Sequence, residues 1–234
     1  MQGIAGDRNH TGVRGEMLRY LGYRGQELSE EMEQKLDSVL EEARSLSRPR
    51  RKSASFPLRF TEDGAALEGT SLVLTGKDIV RHLSGAEEAV LFAVTLGAAA
   101  ERRMLLYEKQ DMIRAVLLDA AFSALVEEAA DDYEKILVEE AAARGFATNW
   151  RFSPGYGDLP LELQKGFARV LDLSRSIGVT VTENSLMIPR KTVTAVIGLF
   201  DPEKEPSGKR LGCSDCILGG DCEFRRWGRT CWQR

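Results

Sequence analysis

Cysteine is missing from the first 212 residues and then occurs four times in the last 22, at Cys213, Cys216, Cys222 and Cys231. A body without thiols needs no disulfides, so the four cysteines read as a small separate appendix. Histidine is nearly missing too. His10 and His82 are the only two, no triad can be assembled around them, and both read as structural or exposed. Long apolar runs are lacking: the longest, Ala89 to Ala100 (AVLFAVTLGAAA), has twelve residues, short of the ~20 that cross a bilayer. Residues 1–14 lack the apolar stretch of a secretory signal, so the expectation is a cytoplasmic protein, not bound to membrane, with a flexible N-terminus over residues 1–13. Basic excess is absent as well. The net charge of −4 argues against a protein that coats nucleic acid, and the one basic cluster, Ser47 to Ser53 (SRPRRKS), reads as a solvated linker.

What is present is a chain of 234 residues, 43% of them hydrophobic, enough for one large domain with an appendage. Ser29 can cap a helix whose apolar residues Met32, Leu36, Val39, Leu40, Ala43 and Leu46 form one stripe, ended by Pro49. SFPLRF and TSLVLTG are short extended segments punctuated by Gly64, Gly69 and Gly76. EAVLFAVTLG reads as a buried strand ending at Gly97, followed by a helix over AAAERRMLLYEK. Gly97 could offer free N–H groups to an anion, but a plain strand-to-helix turn accounts for it, and Asp78 and Asp111 read as caps.

The longest helical pattern runs from Asp111 to about Arg144. Met112, Val116, Leu117, Ala120, Ala121, Ala124, Leu125 and Ala129 line one face, and Glu127, Glu128, Asp131, Asp132 and Glu134 make its second half acidic and solvated. Gly145 can end it. A further helix carries Leu161, Leu163, Phe167, Val170, Leu171 and Leu173. IGVTVTENSLMIP and KTVTAVIGLF are rich in β-branched residues and flank Pro189–Lys191, which reads as a hairpin turn. Loose alternation without a βαβ series predicts an α+β fold with a mainly antiparallel, twisted sheet and flanking helices.

The segment RFSPGYG, Arg151 to Gly157, carries the densest chemistry. Pro154 fixes its own φ and Gly155 removes the Cβ that would keep a ligand off the backbone. Arg151 can grip a carboxylate through two parallel hydrogen bonds, and Tyr156 offers a flat face with a polar tip. The set suits a small zwitterionic or anionic ligand with a planar group. A Pro-Gly turn with a surface arginine is the plainer reading of the same residues.

RFSPGYGDLPLELQKGFARVLDL, followed by IGVTVTENSLMIPRKTVTAVIGL, resembles the activation domain of cobalamin-dependent methionine synthase. The family's Arg-x-x-Pro-Gly-Tyr loop and its Thr-Glu-Ser type strand match Arg151, Pro154, Gly155, Tyr156, Thr182 and Glu183. Upstream, EMLRYLGYRGQ and the stretch from Thr95 to Asp131 are similar to the free-standing version of that domain, so the resemblance spans about residues 14–200.

It implies a domain over residues 14–205 that binds S-adenosylmethionine and caps the cobalamin of a partner. The partner would be a corrinoid-dependent methyltransferase or a methionine synthase lacking its own domain. An electron from a flavodoxin- or ferredoxin-type donor converts cobalt(II) to cobalt(I), which takes the sulfonium methyl. Positioning alone can contribute up to ~7–11 kcal/mol to such a transfer, and no general base is needed. The resemblance gives Arg151 the methionine carboxylate and gives Phe152, Pro154 and Gly155 ligand contacts. Tyr156 stands between ligand and corrin, and Glu183 either orients the loop or faces the ligand. Glu127 and Glu128 are further candidates for the ligand's amino group. Two features depart from the family: Glu16 is the nearest match to its acidic ligand contact, and FDPEKEPSG stands where it has paired tyrosines.

Residues 206–234 contain CSDCILGGDCEFRRWGRTC, with spacings C-x2-C-x5-C-x8-C. Four soft ligands around Gly219 and Gly220 suit zinc or an iron–sulfur cluster, with unligated thiols as the alternative. Arg225, Arg226, Trp227 and Arg229 make the appendix basic and aromatic. A rival function follows: an iron–sulfur electron-transfer or docking module for a corrinoid protein that does not use S-adenosylmethionine. A structural subunit with a zinc-stapled tail is a third.

Overall fold

The structure is a computed structural model that describes residues 12–203. His10 and the appendix cysteines Cys213, Cys216, Cys222 and Cys231, with its arginines and Trp227, lie outside the described residues.

In chain order the elements are α1 (Gly12–Tyr20), α2 (Glu30–Leu46), β1 (Arg50–Thr61), β2 (Gly64–Leu67), β3 (Val73–Leu74), α3 (Lys77–Leu83), β4 (Glu88–Thr95), α4 (Ala98–Gln110), α5 (Met112–Ala143), β5 (Ala147–Thr148), a 3-10 turn (Leu161–Leu163), α6 (Gln164–Val170), α7 (Leu173–Ser176), β6 (Thr180–Val181), β7 (Met187–Ile188) and β8 (Thr192–Phe200). Six strands form one sheet in the order β3-β2-β1-β4-β8-β5, and β6-β7 form a separate pair. The sheet is antiparallel. Leu58 N donates to Glu87 O while Arg48 N donates to Leu96 O, and Leu96 N donates to Lys191 O while Glu87 N donates to Leu199 O. The fold is α+β, as the sequence predicts.

The chain groups into two compact units. Among the described residues, one comprises 12–52, 93–133 and 173–193; the other comprises 53–92, 134–172 and 194–203. The first is built around the helical stripe. Leu36, Val39, Leu40 and Ala43 of α2 pack with Met17, Leu96, Met104, Leu118, Ala121 and Phe122. Ser29 caps α2 by accepting from Met32 N at 3.3 Å, and Asp111 caps α5 by accepting from Arg114 N at 3.0 Å. Gly97 N–H is taken by Thr95 Oγ1 at 3.2 Å, so that strand-to-helix turn offers no anion seat at this atom.

Several expectations change. Arg50 to Ser53 belong to β1 and not to a linker: strand pairing uses the backbone alone, so the exposed Arg50, Arg51 and Lys52 keep their charges in solvent. The buried arc of α5 also differs from the one expected. Leu117, Ala120, Ala121, Ala124 and Leu125 are buried as expected, but Ala115, Leu118, Phe122 and Val126 widen the buried arc, and Met112 and Val116 at its start are exposed. Asp78 does not cap α3, because it sits inside the helix and another carboxylate takes its amide. IGVTVTENSLMIP and KTVTAVIGLF do not form a hairpin across Pro189–Lys191. The first segment folds on itself, pairing Thr180 with Ile188 and Val181 with Met187. Thr182 Oγ1 accepts from Leu186 N at 3.1 Å inside that turn. Pro189–Lys191 is tethered by charge instead: Arg190 pairs with Glu101 at 2.8 Å and Lys191 with Asp119 at 2.8 Å.

The buried strands β4 and β8 are apolar along almost their whole length, as central strands should be. The leucine-rich helix is broken: α6 ends at Val170 and Asp172 has φ 46°, so Leu171 is buried just past α6 and Leu173 at the start of α7.

Candidate functional site

The segment Trp150 to Leu159 lies in the second unit, anchored at both ends on α3. At the upstream end His82 Nε2 donates to Trp150 O at 2.9 Å, and the His82 ring packs against Trp150 (4.9 Å between centroids) and Phe152 (5.1 Å). Burial lowers the His82 pKa to about 4 against the opposing pull of that hydrogen bond, so the ring is a neutral structural spacer at physiological pH. Asn149 reinforces the anchor. Its Nδ2 donates to His82 O at 2.7 Å and its Oδ1 accepts from Gly198 N at 2.8 Å. Phe152 then pairs with Val196 of β8 through two backbone hydrogen bonds of 2.9 Å.

Arg151 points back to α5. Its guanidinium Nη1 pairs with Glu134, and its backbone N donates to Glu134 Oε1 at 2.9 Å. The two side chains are only 16% and 18% exposed. Glu134 therefore fixes the arginine at two points and balances its charge, so it does not belong to a solvated acidic face. The sequence holds no local signal for this pair, since its members sit on different elements.

Beyond Phe152 the chain leaves the sheet. Tyr156 N donates to Ser153 O at 3.0 Å across a turn with Pro154 and Gly155 at its centre, and Gly155 has φ 94°. That arrangement is a type II turn, whose third position needs a residue tolerant of positive φ. Gly155 N donates to Leu159 O and Leu159 N to Tyr156 O. The N–H groups of Phe152, Gly155 and Tyr156 are thus all spent inside the protein, and ligand contacts from this backbone would have to come from its carbonyls. Pro154 and Phe152 are buried, while the Tyr156 ring is 59% exposed and meets Phe152 edge-on at 6.5 Å. The structure brings Arg151, Phe152, Pro154, Gly155 and Tyr156 together on one short segment.

The remaining sequence-derived candidates belong to the first unit. Glu183 is exposed in the β6–β7 turn. Glu16 is engaged by Arg19 at 2.7 Å. Glu127 and Glu128 lie on α5, half-buried and exposed respectively. Among the described residues, no group of three or more His, Cys, Asp or Glu side chains is placed to hold a metal ion, and no helix is long and apolar enough to cross a membrane.

No protein-family model matches this chain, and no curated protein matches its sequence. Its fold is similar to a solved structure, the MetH reactivation domain bound to AdoHcy. The TM-score is 0.60 at 16% identity, and the match covers 95% of this chain and 83% of that one. At that identity the likeness is one of fold.

Proposed function

We propose that this chain reactivates a corrinoid-dependent methyltransferase, such as a methionine synthase without its own activation domain, by binding S-adenosylmethionine at the Arg151–Tyr156 loop. The observation that carries the reading is the loop's geometry on this fold. A largely buried arginine, met by Glu134 at its guanidinium and at its backbone N, stands five residues from an exposed aromatic ring. The structural neighbour, which the fold matches along almost the whole chain, was solved with AdoHcy bound.

Arg151 would hold the ligand's carboxylate, with Phe152, Pro154 and Gly155 supplying surface and carbonyl acceptors. Tyr156 would lie between the ligand and the partner's corrin. The partner's cobalt is the methyl acceptor. The corrin would supply a cobalt(I) nucleophile once a flavodoxin- or ferredoxin-type donor had delivered one electron, and S-adenosylmethionine would supply the methyl group and depart as S-adenosylhomocysteine. This chain supplies orientation and exclusion of water, which is where such a reaction gains most. The four appendix cysteines would hold zinc or an iron–sulfur cluster.

The test mixes the chain with its partner in the cobalt(II) state, a low-potential donor and methyl-labelled S-adenosylmethionine. Label should reach cobalt, and Arg151→Ala should weaken binding in calorimetry by at least about tenfold, the scale of a lost charge-assisted hydrogen bond. Absence of S-adenosylmethionine binding both with and without the partner overturns the proposal in favour of an electron-transfer or docking module.

A further inference from the structure

The downstream end of the loop is held by a residue to which no role has been given. Asp158 reaches across 80 residues of chain to the start of α3: its Oδ2 accepts from Lys77 N at 2.6 Å and its Oδ1 from Asp78 N at 3.0 Å. The approach is possible only because two glycines face it. A Cβ on Gly76 would stand 2.5 Å from Asp158 Oδ1 and 2.8 Å from Asp158 O, and a Cβ on Gly157 would stand 2.5 Å from Asp78 Oδ2. The two Gly–Asp segments interlock, each carboxylate filling the space of the other's missing side chain. Asp158 follows Tyr156 by two residues, and Leu159 N closes back on Tyr156 O at 3.0 Å.

The anchors divide the loop's work. Arg151 is set by Glu134, by the Phe152–Val196 bridge and by His82 at Trp150, all upstream of Pro154. Downstream of Gly155, the bonds from Asp158 to α3 hold the segment that carries Tyr156, adding to the turn bond from Tyr156 N to Ser153 O and the ring contact with Phe152. We infer that Asp158 is a positioning residue for Tyr156: it fixes the face the loop offers to a partner without taking part in holding the ligand. The inference rests on the proposed function for what that face meets, but the clamp itself can be tested without it.

Two arms separate the questions, both on the full chain. In residue-resolved hydrogen exchange, Asp158→Ala should speed exchange of the Lys77, Asp78, Tyr156 and Leu159 amides about tenfold, the scale of losing a charged cap. The Phe152 and Val196 amides should stay protected. Gly76→Ala, which pushes the carboxylate away while leaving every charge in place, should give the same pattern. Asp158→Asn, whose amide oxygen still accepts one N–H, should fall between. In the methyl-transfer assay, Asp158→Ala should leave S-adenosylmethionine affinity within about threefold of wild type and lower transfer at saturating ligand about tenfold, with partial rescue by Asp158→Asn.

Unchanged exchange at Tyr156 and Leu159 overturns the clamp. A parallel loss of ligand affinity and transfer overturns the division of roles and makes Asp158 a general stability residue. If wild type transfers no methyl, the proposed function fails, and the exchange pattern alone then decides whether Asp158 positions Tyr156.

Discussion

Acid should loosen this protein through one ring. His82 is 4% exposed and its pKa is lowered by burial from 6.5 to about 4. The folded chain therefore binds the proton more weakly than the unfolded chain does. The stability tied to the neutral ring is present in full above about 6.5 and drains away as pH falls toward 4. At about 1.36 kcal/mol per tenfold change in proton affinity, the loss approaches ~3 kcal/mol, a large share of the ~5–15 kcal/mol typical of a domain. Urea titrations between pH 7 and pH 4 on wild type and His82→Gln isolate it, since glutamine can keep a donor toward Trp150 but cannot titrate. Glu88, held below its ordinary pKa first by the hydrogen bond from Arg144 and then by Ser55, gives up its share of stability only at the acid edge of this window and below. That loss is common to both proteins and cancels in the difference. The stability advantage of wild type should shrink by about 3 kcal/mol across the window. Parallel pH profiles for the two proteins would refute a buried neutral His82.

Two further changes test the packing around the loop and the helical unit. Gly198→Ala should lower the urea midpoint by an amount equivalent to ~1–3 kcal/mol, as overpacking does, because its Cβ would stand 2.8 Å from Phe200 Cε2 and 3.2 Å from Leu83 Cδ2. An unchanged midpoint would mean the Phe200 ring moves freely. Ser29→Ala should cost about 1 kcal/mol in the same titration, through loss of the bond from Met32 N.

The parts legible in the sequence are those whose causes are local. The Ser29 cap and the stripe through Leu36, Val39 and Ala43 place α2, and the apolar run before Gly97 places β4. Gly145, with φ 85°, ends α5 through the bond from Phe146 N to Ala141 O. What escaped depends on distant partners. Whether Val116 or Leu118 faces inward is decided by what covers α5, not by period alone. The two-residue strands β3, β5, β6 and β7 are too short for a pattern to register. At the candidate site, the composition of RFSPGYG shows a turn, a cation and a ring. It does not show that Glu134 has claimed the cation or that Asp158 and His82 hold the turn from α3, because each of those bonds spans from 17 to 81 residues.

The Arg151–Glu134 pair also bears on which ligands the loop can accept. Both side chains are more than four-fifths buried, and removing one partner from such a pair leaves the other charge uncompensated at a cost of ~3–5 kcal/mol. A plain carboxylate that drew the guanidinium away would leave Glu134 in that state, and one that shared the guanidinium would bring two anions together. A zwitterion avoids both penalties, since its ammonium can meet Glu134 while its carboxylate meets Arg151, exchanging one internal pair for two across the interface. On the proposed reading, the aminoacyl end of S-adenosylmethionine is such a zwitterion. The residue that neutralises Arg151 in the free chain is then also what makes the site prefer an amino acid headgroup to a simple acid.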